Sequence, residues 1–153
     1  MVFHMRTDSS LQDNNLNSRH PVIIGLRNLL RTACLNDITT LTIPLLLSHK
    51  VNKYLLYDKI ENLTFSKLLF AENVILVFDL EMTEKMTVAW CVKRAELVFK
   101  CIKGFMMEMG SWGGAEIKTL QFLLPRDIDP DVFMKLTAML ATIFRVSNPI
   151  RGS

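Results

Sequence analysis

The stretch PVIIGLRNLLRTACLNDITTLTIPLLL, residues 21–47, decides the fold class. Pro21 sits where a helix begins, because the N–H that proline lacks has no partner in a first turn. Val22, Leu26, Leu29, Leu30 and Ala33 recur at helical spacing through Cys34, and Asn36-Asp37 closes the element. Residues 38–46 follow at once. Leu41, Ile43 and Leu45 alternate there with Thr40, Thr42 and Pro44, a strand that proline ends. A helix passing through a short connection into a strand predicts a parallel-sheet unit, and hence an α/β protein with mostly parallel strands.

Further along, residues 84–109 read as one long amphipathic helix. Thr83 is placed to cap it, and Glu84 puts a negative charge in its first turn. Val88, Cys91, Val92, Ala95, Val98, Phe99, Ile102, Phe105, Met106 and Met109 fill one arc about 140° wide. Lys85, Lys93, Glu96, Lys100 and Lys103 lie opposite, with Glu96 and Lys100 paired at i,i+4. Trp90, Leu97 and Cys101 widen the apolar surface on one flank. They mark a candidate partner-contact surface, although packing against another helix of the same fold explains the flank more simply. Gly110-Ser-Trp-Gly-Gly114 ends the helix. Residues 119–124 read as a strand with Leu120, Phe122 and Leu124 on one face, stopped by Pro125. Asp129-Pro130 then opens a final helix striped by Val132, Phe133, Leu136, Met139, Leu140 and Ile143.

Upstream of Pro21 the reading is sparser. Residues 2–5 look like the end of a strand, and residues 7–19, rich in Ser, Asn and Asp, like a flexible loop. The organisation expected is therefore a strand end and polar loop over 1–19, a partial α/β domain over 20–148, and a tail at 149–153. Residues 51–81 interrupt that domain with a different composition: both tyrosines of the chain, and none of its nine methionines. Leu, Asn, Lys, Ile, Phe and Tyr, whose codons can be rich in A and T, dominate the segment. A retained in-frame intron would explain this, and its removal would leave a short loop between strand and helix. A true insertion, with a helix near 57–70 and a strand near 73–78, is the rival reading. Mature messages that uniformly contain these codons would exclude the intron.

Composition bounds the function. A chain of 153 residues, half of them apolar and 22% charged, supports one packed domain. A formal charge of +3, spread without blocks of one sign, gives no nucleic-acid arm. Cys34, Cys91 and Cys101 are odd in number with no Cys-x-x-Cys spacing, and Cys91 and Cys101 point about 80° apart on one helix, so reduced thiols in a cytosolic compartment are expected. His4, His20 and His49 do not cluster with them, so no metal site is expected, only solvated or capping histidines. No apolar run is long enough to be a membrane span, so any membrane attachment is expected to run through partners.

Four stretches carry a family resemblance: Ile24-Gly-Leu-Arg-Asn-Leu-Leu30, Asp37-Ile-Thr-Thr-Leu-Thr-Ile-Pro-Leu-Leu-Leu47, Arg94-Ala-Glu-Leu-Val-Phe-Lys-Cys-Ile-Lys-Gly-Phe-Met-Met-Glu-Met109 and Ile143-Phe-Arg-Val-Ser147. Over residues 1–50 and 82–148 the chain resembles the C-terminal region of the third subunit of the FERRY endosomal Rab effector complex. That resemblance implies a non-catalytic accessory subunit with other complex subunits as partners. It implies a cytoplasmic place, peripheral on early endosomes, and an indirect association with messenger RNA. Family members are longer, with a coiled-coil-rich N-terminal portion. The helix–strand order is also similar to the C-terminal half of macro domains, which bind ADP-ribose. The expected architecture is thus a partial three-layer, macro-domain-like fragment, and the alternative function is a degenerate module for ADP-ribose or a related nucleotide.

No constellation of residues supports catalysis, and no cofactor or small-molecule ligand is expected. Ser48-His49 is the only adjacent nucleophile–base pair, and no carboxylate completes it. Gly110–Gly114 follows a helix, whereas a phosphate loop opens onto a helix N-terminus. Asp127, Asp129 and Asp131 lack the glycine and distal glutamate of a calcium loop. Arg27 and Arg31 share a helix face that could meet an acidic partner or a phosphate, or simply be solvated.

Overall fold

The computed structural model describes residues 3–47, 74–80, 86–110, 117 and 119–144. The helix from Pro21 to Leu35 (α1) begins at its proline, and Asn36-Asp37 ends it in a Schellman turn. Ile38 N–H donates to the Ala33 carbonyl at 3.0 Å and Asp37 N–H to that of Cys34 at 3.1 Å, with Asp37 at a φ of 55°. The next strand, Thr40–Pro44 (β1), buries Leu41 and Ile43 and exposes Thr40 and Thr42, the alternation the sequence predicts.

Val74–Leu80 (β2) and Thr119–Pro125 (β3) complete a three-stranded sheet in the order β1-β3-β2, every pairing parallel. Leu41 lies opposite Leu120 and Ile43 opposite Phe122, so the apolar rows of β1 and β3 share one face. On the other face the Thr42 hydroxyl donates to Gln121 Oε1 at 2.7 Å. β2 occupies the site foreseen for a strand inside residues 51–81. The helix foreseen near 57–70 lies outside the described residues, as do Ser48-His49, Thr83-Glu84, residues 111–114 and the tail.

The long helix runs from Val88 to Gly110 (α2), starting four residues later than expected. Met86 and Thr87 precede it in non-helical backbone, and Thr87 Oγ1 accepts the Trp90 N–H at 3.2 Å. Met86 and Cys91, both buried, flank this cap as a hydrophobic staple does, which fixes the entry angle at Thr87. The buried arc also turns toward the Trp90 flank: Trp90, Arg94 and Phe105 are inside, while Val88 and Met106 are exposed. The last helix, Pro130–Ile143 (α3), is capped by Asp129, whose carboxylate accepts the Asp131 N–H at 2.7 Å.

Phe99 of α2 is the hub of the core. It meets Phe122 edge-on, with centroids 5.3 Å apart, and Phe144 at 5.8 Å. Each such pair contributes about 0.5–1.5 kcal/mol beyond its buried area. α2 also packs against both α1 and α3. The described residues thus supply two layers: a parallel sheet, and helices over its Leu41–Phe122 face.

Two expectations for the N-terminus fail. Residues 3–8 form no strand; Phe3 and Met5 pack against the core, and Met5 Sδ would lie 3.0 Å from a Cβ added at Gly25. Nor is 7–19 a simple loop. Ser9–Gln12 forms a 3-10 turn, and Leu11 and Leu16 are buried. Two leucines spaced to meet one apolar surface outweigh the polar residues around them.

A candidate interaction site around Trp90 and Arg94

Residues 8–16 form a strap over the first turns of α2, and Arg94 holds it there. This arginine is 3% exposed, and among the described residues it is the one charged side chain in the buried class. One guanidinium nitrogen donates to the Leu46 carbonyl at 3.1 Å. The other donates to the carbonyls of Leu11 at 2.6 Å and Asp13 at 3.1 Å. The guanidinium carbon sits 4.4 Å from the centroid of the Trp90 ring, a cation–π contact in a desolvated place. Trp90 Nε1 donates to the Gln12 carbonyl at 3.3 Å. Burial lowers the Arg94 pKa to about 10, so the group is still a cation at neutral pH.

The three residues of the expected partner flank go to different places. Trp90 is buried beneath the strap. Leu97, half-buried, lines a shallow cleft together with Asp13, Leu16, Trp90 and Lys93. Cys101, half-buried, directs its Sγ toward the Ile23 carbonyl of α1 at 3.8 Å. The acidic group that meets Arg27 and Arg31 belongs to this chain: Glu108 pairs with Arg27, and Arg31 stands 3.7 Å from its other oxygen. Arg27 accordingly holds the Glu108 carboxyl below the ordinary carboxylate value. Lys100 and Glu96 form the expected helical pair at 2.5 Å.

Sequence reading missed one nucleophile–base pair, Ser10 and His20, which the strap brings to 3.0 Å between Oγ and Nε2. Its wiring is that of a cap. The lone pair on His20 Nδ1 accepts the Val22 N–H at 3.2 Å, so the proton of the neutral ring sits on Nε2 and is donated to Ser10. Ser10 in turn donates to Asp8, whose pKa is lowered by that bond. With no lone pair facing the hydroxyl, the imidazole cannot take its proton, and the pair cannot act as a nucleophile and base. His20 is thus the capping histidine that the sequence allowed.

The thiols are free and unreactive by environment. Burial raises all three, Cys91 to about 11 and Cys34 and Cys101 in the same direction. No group of three metal-binding side chains occurs among the described residues, and none of their helices is long and apolar enough to cross a membrane.

The family model described as Ferry endosomal RAB5 effector complex subunit 3 matches residues 1–61 and 73–150. The chain belongs to that family. The proteins named FERRY endosomal RAB5 effector complex subunit 3 from Rattus norvegicus, Mus musculus and Homo sapiens are each 41% identical to it over 150 residues, 98% of this chain. The chain spans 22% of the length of these relatives. Against the four stretches that first suggested the family, the match extends to 51–61 and 73–81, on either side of 62–72. No solved structure matches the chain.

Proposed function

We propose that the chain is the C-terminal region of a non-catalytic accessory subunit of an endosomal Rab5 effector complex, peripheral on early endosomes and linking them indirectly to messenger RNA transport. The observation that carries this is the 41% identity, sustained over 98% of the chain, to relatives bearing that subunit name. The geometry around Arg94 supports a packing role over a ligand-binding one. Leu45, Leu46 and Leu47 fill the start of the loop that would hold phosphate in a macro domain; all three are buried, and the Leu46 carbonyl is bonded to Arg94. Of the Trp90, Leu97 and Cys101 flank, Leu97 is the part we assign to a neighbouring subunit, since the other two have partners within the chain.

The test is affinity purification of the tagged full-length subunit from its own cells. Recovery of other complex subunits in stoichiometric amount is expected; their absence would remove the reading. A robust rise in melting temperature with ADP-ribose would favour the nucleotide module instead.

A further inference from the structure

β1 has one edge bonded to β3 and one that no described residue pairs with. Thr119 N–H donates to the Thr39 carbonyl at 2.9 Å, and Leu45 N–H to the Leu123 carbonyl at 3.0 Å. In a parallel ladder both backbone groups of alternate residues face the same neighbour. Residues 39, 41, 43 and 45 therefore address β3, and Thr40 and Thr42 direct theirs outward, where no described residue pairs with the strand; the Pro44 carbonyl accepts the Leu47 N–H at 3.1 Å in the turn that ends it. Pro44 sacrifices no β3 bond by lacking an N–H, because its position faces out.

Natural edge strands are guarded by lysines, other charges or bulges. This one carries no charged residue anywhere from Ile38 to Leu47, and β1 pairs with β3 without a bulge. Pro44 guards only its last residue. Such an apolar and β-branched run is the composition of an interior strand in a parallel sheet, which is normally covered and flanked. More than three-quarters of the length of the relatives lies outside the region this chain matches.

We infer that the open edge of β1 receives a fourth strand, supplied by the part of the same subunit that lies beyond these 153 residues. The inference rests on the reading of this chain as a region of a longer subunit. The added strand takes up the N–H and C=O of Thr40 and Thr42, and it stops at Pro44, which has no N–H and whose C=O is taken by Leu47. Without that strand the edge is unpaired, so the region should aggregate when expressed without the rest of the subunit.

Hydrogen exchange on the purified full-length subunit tests this at single residues. The amides of Thr40 and Thr42 should exchange at least about 100-fold more slowly than an unstructured amide. Fast exchange at both would overturn the inference, and so would the same slow exchange in the 153-residue chain by itself. Slow exchange seen only in a dimer would assign the edge to a second copy, and slow exchange seen only with other subunits present would assign it to them; either result overturns it. A second measurement uses Thr42→Pro, which removes the outward N–H, against Thr42→Val, which keeps it. The proline variant should melt several degrees lower than the valine variant, and equal melting would count against a fourth strand. Subunit recovery by affinity purification is read separately, so failure of the edge and failure of the functional reading are distinguishable.

Discussion

Two seams join α2 to the rest of the chain, and both use arginine. Toward α1, Arg27 and Arg31 reach Glu108 at the surface, with about half of each arginine side chain in water. Toward the strap, Arg94 is buried and meets backbone carbonyls and an aromatic ring. The first seam has the opposite charge, which by electrostatic intuition makes it the stronger. Solvent screening and side-chain entropy argue the reverse: exposed pairs contribute little, whereas removing a buried donor strands every acceptor it served.

The largest expected effect follows from that contrast. Arg94→Ala should destabilise the protein by about 3–5 kcal/mol, or prevent folding, since three carbonyls lose their donor. Denaturant titration measures it. Arg94→Lys should recover little, because one ammonium on a flexible stem cannot replace a planar fork aimed at carbonyls from separate segments. If Arg94→Ala costs no more than a surface change, the strap is not held as described. Trp90→Phe is intermediate: it keeps an aromatic face under Arg94 but loses the bond to Gln12, an expected loss of about 1 kcal/mol.

The smallest effect belongs to the exposed seam. Glu108→Gln should leave the melting temperature near its starting value at pH 7. Arg27 lowers the Glu108 carboxyl from its ordinary 4.5, so what the pair contributes is present above pH 4.5 and fades as pH falls through the lowered value. A large loss at neutral pH would invert the ranking of the two seams.

Most of the fold was legible because it follows periodicity. The α1 stripe, the β1 and β3 alternations and the Asp129-Pro130 start all appear where spacing and capping chemistry put them. The start of α2 was less legible, because Thr83 and Thr87 are both competent caps one turn apart, and the choice depends on Met86 finding a buried place. The candidate site was the least legible part. Arg94 bonds to main-chain carbonyls, and a carbonyl has no residue type to recognise. One signal was available: Arg94 lies four residues after Trp90 and four before Val98, a polar residue inside an apolar flank. Leu11 and Leu16, alone in a polar tract, were its counterpart.

The Arg94 clasp also sets an order of events during synthesis. Its bond to Leu11 spans 83 residues. At about 5–20 residues per second, the ribosome delivers Arg94 roughly 4–17 s after Leu11. The strap therefore emerges early and locks late, because its Leu11 and Asp13 carbonyls have no Arg94 to meet until α2 exists. During that interval Leu16, which shares a cleft with Trp90 and Leu97 in the folded chain, lacks that cover.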